Sequence, residues 1–366
     1  MVLKRSVLAL AAVAFLGSMG GACRGGSGQI ADGGGGSGGG MISNATELKC
    51  PYPGTLPFKL ESSGFQNADN ASFATDNPRS KDESSDTLGN EGGKIAQTYL
   101  PNDKTPAPGP IDYRGRKART GQASGLTATP LPGEFVSLWF YDVAAAKWNT
   151  LGRTQTDVDG FYDLPSTNFL APLGAPVYAV MEADGSCGEH YDYLMPSGTK
   201  FIITDIDGTM TFSDDELFKQ IDDGAYVPLQ NTSADALMNA WSKKGYEIVY
   251  LTARPHLFRA ETRRWLADLG FPTGSVITAN SLVFGDSARE YKGAWVKRMT
   301  NDFGWDVVAA YGNAESDIQA YEDAGIPKGI TFIVGEFAGA SGTVAVPNND
   351  FSQHITDFVN QQPDNP

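Results

Sequence analysis

Two aspartates one residue apart, Asp205 and Asp207, are the residues of this chain that point most directly to chemistry. They follow the apolar residues 201–203 and are followed at once by Gly208 and Thr209. A short apolar run predicts a buried strand, and open α/β sheets bind their ligands at the carboxyl ends of strands. Two carboxylates this close repel each other unless a cation or a shared proton offsets them. A hard divalent ion such as Mg2+ is the natural partner, although a polar Asp-Gly turn after a strand leaves the same pattern.

Two more strand-like runs end in polar residues. Residues 246–251 lead into Thr252, and residues 307–311 lead into Asn313 and Asp317. Three apolar strands that each end in polar side chains predict one shared site at the edge of a parallel sheet.

Taken in order, these motifs resemble the haloacid dehalogenase phosphatase superfamily, and most closely the lipin-type (LNS2) phosphatidate phosphatase domain. Residues 205–214, 245–254 and 311–327 are similar to the first, second and last lipin motifs. The similarity is expected over about residues 200–340 and not over the N-terminal half. The resemblance implies a Rossmann-like parallel sheet, and the short gap before the second strand leaves no room for a large cap.

The resemblance also implies a role for each motif residue. Asp205 is the implied nucleophile, which forms an aspartyl-phosphate, and Asp207 is the implied general acid and base. The implied phosphate contacts are Gly208, Thr252, Ala253 and Lys292. The implied Mg2+ ligands are Asp205, Asp207, Asn313 and Asp317.

Some of these roles have alternatives in the sequence. Lys297 competes with Lys292, and Thr252 could be a strand-end cap. Arg254 is left open between a structural role and contact with the substrate. Asp214 and its neighbour Asp215 are interpreted as a solvated turn.

Length and charge limit the class of protein. A chain of 366 residues has room for two domains. A formal net charge of −15 argues against nucleic acid and against broad attachment to anionic lipid. The three histidines are scattered, and no His/Cys spacing is typical of a zinc site, so metal chemistry has to use carboxylates.

The N-terminus predicts export. Lys4 and Arg5 precede an apolar stretch over residues 7–16, which is typical of a secretory signal in residues 1–23. Cys23 resembles the lipidated cysteine of a bacterial lipoprotein, and plain cleavage with a free cysteine is the alternative. The Gly/Ser-rich residues 24–46 would be a flexible tether. The expected location is therefore the periplasm or the outer cell surface of a bacterium.

Lipidation of Cys23 would leave Cys50 and Cys187 as a pair. Two cysteines in an oxidising compartment are expected to form a disulfide, and two independent thiols are the alternative.

The remaining segments differ in composition. Residues 47–112 are polar and loop-rich, and residues 67–93 are interpreted as a long loop or disorder. Residues 113–197 are rich in strand formers and predict a β-sandwich that resembles transthyretin-like modules. Residues 198–345 are the predicted phosphatase domain, and residues 346–366 a C-terminal helix and tail.

The sequence thus favours an exported, Mg2+-dependent, phosphatidate phosphatase-like enzyme that reaches a membrane surface through its lipid anchor. A phosphatase for soluble esters and a phosphatidate-binding module with little catalysis are the alternatives. Because the net charge opposes anionic membranes, four arginines are expected to assist docking: Arg254, Arg259, Arg263 and Arg264.

Overall fold

The computed structural model of the protein describes residues 64–71, 80–84, 86–90, 94–97, 107–108, 112–120, 128–165, 171, 175–223, 226–279 and 281–365. The predicted signal, the tether, Cys23 and Cys50 lie outside these residues. Within the described part of the chain, no helix has the length and apolar character needed to cross a bilayer.

The C-terminal half contains a six-stranded sheet in which every neighbouring pair of strands is parallel. Its strands are β12 Lys200–Thr204, β13 Glu247–Pro255, β14 Ser275–Ala279, β15 Asp306–Gly312, β16 Thr331–Ile333 and β17 Val344–Ala345. The order across the sheet is β14-β13-β12-β15-β16-β17. The first strand of the motif series, β12, therefore lies in the middle, between the strands that carry the other two motifs.

Helices cover both faces of this sheet. They are α1 Asp215–Asp222, α2 Ala234–Lys243, α3 Arg259–Asp268, α4 Asp286–Lys297, α5 Glu315–Asp323 and α6 Ser352–Asp357. Side chains alternate along β12, so that Ile202 packs on one face with Trp241 of α2, while Ile203 packs on the other with Trp295 of α4. The α/β class predicted from the alternating strands and helices is confirmed.

The N-terminal half of the described chain consists mainly of strands, with one helical turn at residues 68–71. The strands are β1 Ser80–Ser84, β2 Thr87–Asn90, β3 Lys94–Gln97, β4 Ala107–Pro108, β5 Asp112–Thr120, β6 Ala128–Pro130, β7 Phe135–Asp142, β8 Lys147–Gln155, β9 Phe161–Pro165, β10 Pro176–Met181 and β11 Cys187–Met195. One sheet has the order β4-β3-β2-β11-β10-β7-β8, and a second joins β1, β5, β6 and β9. Tyr113 and Tyr162 of the second sheet share a buried cluster with Leu138 and Val177 of the first. We call residues 80–195 the β module; its classification as a sandwich stays a prediction.

The interpretation of residues 67–93 as a long loop or disorder was wrong for its described part. Strands β1 and β2 lie there, and each pairs with a strand distant in sequence: β1 with β5, and β2 with β11. The polar composition is explained by buried ion pairs. Asp82, for example, contacts the buried Lys117 at 2.6 Å.

Asp86 joins the β module to the phosphatase-like half. Its buried carboxylate accepts hydrogen bonds from the backbone N–H groups of Tyr191, at 3.0 Å, and Val276, at 2.7 Å. It also pairs with Arg259 and Arg263 of helix α3. Arg259 is buried and Arg263 is largely buried between the halves, and both are paired with Asp86. The expectation that they assist docking on a membrane was therefore wrong.

The C-terminal residues complete the core of the sheet domain rather than forming a separate tail. The predicted helix within residues 346–366 is only six residues long, Ser352–Asp357. Val346, Phe351 and Val359 belong to the same buried cluster as Trp241. The Asn365 N–H donates to the Lys244 carbonyl at 2.6 Å, which fixes the chain end against α2.

Candidate active site

The three motif segments meet where β12, β13 and β15 end. Asp205 directly follows β12, and its N–H donates to the carbonyl of Tyr311 in β15 at 3.1 Å. On the other side, the pairing of β13 with β14 is irregular between Leu251 and Pro255. The intervening Thr252 and Arg254 are thereby released from the regular ladder and contact the site.

The Lys292 ammonium lies between two buried carboxylates. Its Nζ is 2.7 Å from Asp205 Oδ1 and 2.6 Å from Asp317 Oδ1. The other oxygen of Asp317 accepts the N–H groups of Asn313 and Ala314, each at 3.1 Å, at the start of α5. Lys292 therefore holds together the end of β12, helix α4 and helix α5. Lys297, the alternative, is exposed.

The site has more buried negative charge than Lys292 alone neutralises. Burial raises the pKa of Asp205 to about 8; Lys292 opposes this effect, whereas Asp317 and Asp207 add to it. Burial lowers the pKa of Lys292, but the two carboxylates outweigh burial and raise it above its ordinary value. An additional cation at this position would relieve the repulsion between the carboxylates.

Arg254 grips the second aspartate. The buried guanidinium contacts Asp207 through Nη2–Oδ1 at 2.8 Å and Nε–Oδ2 at 3.0 Å, while Nη1 donates to Thr262 at 3.1 Å. The Thr252 hydroxyl also donates to Asp207 Oδ2, at 3.2 Å. The contacts fix the orientation of the Asp207 carboxylate. They give Arg254 a partner inside the site, in place of the membrane contact considered from the sequence.

The loop after Asp207 is tightly folded around Gly208. Gly208 has φ +72°, and a Cβ there would overlap the side chains of Asn313 and Asp214. Its N–H donates to the Thr211 hydroxyl at 2.9 Å, and the buried Asn231 amide donates to the Thr209 carbonyl at 2.8 Å. The loop therefore has one conformation in which only glycine fits.

Asn313 connects this loop to the third motif. Its Nδ2 donates to Asp214 Oδ1 at 3.0 Å, and its Oδ1 accepts from the Thr209 hydroxyl at 3.2 Å. Burial raises the pKa of Asp214, and Asn313 opposes that rise. Asp214 is exposed and lies in a turn, as the sequence predicts, and from there it also contacts Asn313. Its membership of the first lipin motif was the available signal.

The structure brings most of the predicted site residues together. Direct contacts link Asp205, Lys292 and Asp317 in one group, and Asp207 and Thr252 in a second, while Gly208 packs against Asn313. Ala253 is half-buried and lies between Thr252 and Arg254 in the sequence.

The sequence had anticipated less of the support around the site. The amide of Asn231 and the grip of Arg254 on Asp207 were not predicted. Both residues act through contacts that span more than 20 positions in sequence, and such contacts leave no local pattern.

The predicted metal ligands supply suitable atoms but no preformed cage. Carboxylate, amide and backbone oxygens suit Mg2+. In the described residues, however, no three His, Cys, Asp or Glu side chains cluster as a metal site. One oxygen each of Asp205 and Asp317 is occupied by Lys292, and the Asp207 side chain is turned to Arg254. The donor chemistry and the excess negative charge fit a divalent cation, which would have to share or displace these contacts, because the second Asp317 oxygen already accepts two backbone N–H groups.

Cys187 forms a disulfide. Cys23 and Cys50, the other two cysteines of the chain, lie outside the described residues. The pairing with Cys50 stays a prediction.

The comparison with known families confirms the resemblance to the LNS2 domain. Residues 202–335 match the family described as "PITM 1-3, LNS2 domain". This range begins in β12 and includes all three motif segments. It is the part of the chain that builds the site.

Two relatives extend the comparison. Protein retinal degeneration B of Drosophila melanogaster is 27% identical over 277 residues, which are 73% of this chain and 20% of the relative. Membrane-associated phosphatidylinositol transfer protein 3 of Mus musculus is 27% identical over 213 residues, 57% of this chain and 21% of the relative. The chain thus spans about a fifth of the length of these relatives.

The family match agrees with the expected extent of about residues 200–340, and the alignment with the first relative is longer. The aligned 73% of the chain is more than the part that follows residue 197, so the alignment includes some of the β module.

Among solved structures, an apo phosphoserine phosphatase aligns with 44% of this chain and 99% of its own at 12% identity, with a TM-score of 0.33. An alignment this loose carries no argument about function.

Gly208→Ala should destabilise the protein more than Gly270→Ala. Both glycines have positive φ, but a Cβ at Gly270 meets open space, whereas one at Gly208 overlaps Asn313 and Asp214. The Gly270 variant should lose about 1 kcal/mol from backbone strain. The Gly208 variant should lose about 1–3 kcal/mol more from overpacking. Chemical denaturation measures both, and equal losses would contradict the close packing around Gly208.

Proposed function

We propose that the protein is a Mg2+-dependent phosphatidate phosphatase-like hydrolase that cleaves a phosphate monoester through an aspartyl-phosphate. The observation that carries this proposal is the juxtaposition of Asp205, neutralised by Lys292, with Asp207, oriented by Arg254. A nucleophile and a proton donor two residues apart are what hydrolysis in two steps requires. The similarity to LNS2 domains supports the same chemistry.

In the first step, an Asp205 carboxylate oxygen attacks phosphorus and the bond to the ester oxygen breaks. Asp207 gives its proton to that departing oxygen, so an alcohol leaves. In this proposal, Lys292 and the Thr252 hydroxyl would contact the phosphoryl oxygens. Mg2+, when held by oxygens of Asp205, Asn313 and Asp317 and the Asp207 carbonyl, would offset repulsion between the nucleophile and the phosphate dianion.

In the second step, water attacks the phosphorus of the aspartyl-phosphate and Asp207 takes its proton. The bond from phosphorus to the Asp205 oxygen breaks, and inorganic phosphate is released. The residues that orient Asp207 therefore serve both steps, because the same carboxyl first donates a proton and then accepts one.

The substrate class rests on two observations. In the described residues between β12 and β13, the helices are α1 and α2, and the gap is too short for a large cap domain. The relatives named as phosphatidylinositol transfer proteins are described as membrane-associated. A lipid phosphate monoester such as phosphatidate is the substrate that we propose. The lipid anchor at Cys23 and export to the periplasm or outer surface remain proposals from the sequence.

Phosphate release separates this function from its alternatives. The full chain should release phosphate from phosphatidate vesicles with Mg2+, and chelation should stop the reaction until Mg2+ is returned. Preference for soluble esters by kcat/KM would support the soluble-ester phosphatase instead. Binding of phosphatidate without release would support the binding module.

Asp205→Asn should lower phosphate release by about 10³-fold or more, because the amide cannot act as the nucleophile. The fold should persist, since burial already disfavours the charged form of Asp205. Asp215→Asn, at an exposed carboxylate of α1, is the matched control and should keep its activity. Phosphate release by the Asp205 variant within about tenfold of the parent would overturn the covalent mechanism.

Arg254→Lys should impair proton transfer specifically, because lysine cannot hold Asp207 with two parallel bonds. Hydrolysis of an alkyl phosphate, whose leaving oxygen needs a proton, should fall by about 10²-fold. Hydrolysis of p-nitrophenyl phosphate, whose leaving group needs none, should fall much less. Arg289→Lys is the control, because Arg289 makes a similar paired contact with Asp323 on the surface. Equal losses on both substrates would show that Arg254 acts only on the fold.

A further inference from the structure

A group of exposed, large apolar side chains lies near the Gly208 loop of the candidate active site. We call Phe212, Val227, Leu229 and Phe284 the apolar rim; their exposed fractions are 57%, 48%, 58% and 61%. Most soluble surfaces carry such residues singly. Here Phe212, Val227 and Leu229 come from the segment around helix α1, and Phe284 comes from a second segment that packs on α1. Such a group of exposed apolar side chains makes this part of the surface unusual.

Backbone contacts connect the first part of the rim to the site. The Phe212 N–H donates to the Leu229 carbonyl at 2.7 Å, beside the antiparallel bridge between Thr211 and Gln230. Thr211 in turn accepts the Gly208 N–H. Phe212 and Leu229 are therefore neighbours beside the loop that follows Asp207 and contains Gly208.

Buried polar contacts keep the rim in place. The Glu216 carboxylate of helix α1 is buried and accepts the Leu229 N–H and the Tyr226 hydroxyl, each at 2.7 Å. Phe218 of the same helix stacks on Phe284 with ring centroids 6.4 Å apart. A buried carboxylate thus holds Leu229 in its exposed position, so the apolar surface is a built feature rather than a frayed loop.

The charge around the rim selects the kind of surface it fits. Negatively charged side chains predominate near the rim. The exposed carboxylates are those of Asp214, Asp215, Asp222, Asp223 and Asp286, and helix α1 also carries the positive charge of Lys219. These carboxylates would be repelled by a strongly anionic bilayer. They are compatible with a zwitterionic or neutral bilayer, into which aromatic and aliphatic side chains insert at the interface.

We propose that the apolar rim inserts into a zwitterionic or neutral lipid bilayer and delivers a lipid phosphate from that surface to Asp205. The identity of the substrate rests on the proposed function, but insertion itself does not require catalysis. The bilayer is the occupant that we favour because the rim adjoins the loop that follows Asp207, so that the apolar part of a lipid bound at the proposed site would remain beside these apolar side chains.

Tryptophan quenching tests insertion without catalysis. Both test proteins are full chains that also carry Asp205→Asn. The tryptophan fluorescence of the Leu229→Trp variant should be quenched by phosphatidylcholine vesicles brominated on their acyl chains. The fluorescence of the Val143→Trp variant should not be quenched, although Val143 is 83% exposed on the β module. The N-terminal apolar stretch is common to both proteins and cannot create a difference. Equal quenching, or none at either position, would overturn the proposal.

Activity gives a second, independent readout. Phe212→Ser with Leu229→Ser should lower the ratio of the rate on phosphatidate in phosphatidylcholine vesicles to the rate on a soluble alkyl phosphate by tenfold or more. Val143→Ser with Val158→Ser, two exposed apolar residues far from the rim, should leave that ratio unchanged. Added phosphatidylserine should weaken quenching at position 229. An unchanged ratio in the rim variant, or quenching that strengthens with phosphatidylserine, would contradict the inference.

The outcomes separate the two proposals. If the Leu229→Trp variant is quenched but the parent protein releases no phosphate, insertion of the rim is supported and the proposed hydrolase activity is overturned. If the parent releases phosphate but the Leu229→Trp variant is not quenched, the hydrolase activity is supported and insertion is overturned. Self-association of the parent chain that the serine variant of Phe212 and Leu229 abolishes, with no quenching, would make the rim a contact between copies and overturn insertion.

Discussion

The ammonium of Lys292 between Asp205 and Asp317 is the interaction on which the rest of the site depends. Asp205 ends a central strand and Asp317 begins a helix, and both carboxylates are buried within reach of one lysine. Without that cation, two adjacent buried charges would repel each other and raise the cost of burial. Strand β12, helix α4 and helix α5 therefore meet at this point because the Lys292 side chain of α4 neutralises both carboxylates, one from the end of β12 and one from α5.

Every further element of the site is arranged around this pair. Asp317 uses its second oxygen on backbone N–H groups at the start of α5, so the same residue neutralises Lys292 and caps a helix. Asn313, just ahead of that helix, reaches back to Thr209 and Asp214 in the first loop. The three motif segments are thus cross-linked by polar contacts, which keeps their side chains oriented before any ligand is present.

The sequence was informative where chemistry and local pattern coincide. Asp205 and Asp207 follow an apolar run, and strands and helices alternate after residue 200, so the class of the sheet domain and the position of its reactive edge could be predicted. The strands of the polar segment could not, because Asp86 is stabilised by Arg259 and Arg263, more than 170 positions away. The same arginines were misplaced on the surface for that reason: composition records a charge but not its partner.

The buried contacts of Asp86 with the phosphatase-like half limit the order in which the chain can fold. Its contact with Val276 spans 190 positions, and β2 pairs in parallel with β11 across a long stretch of intervening chain. Contacts of such high sequence separation are slow to form, because loop-closure entropy is lost before the contacts stabilise the chain. During synthesis from the N-terminus, the segment around Asp86 must therefore wait until β14 has been made. Strand β1 can pair with β5 as soon as residue 120 has been made, whereas the neighbouring Asp86 cannot complete its contacts until β14 is present.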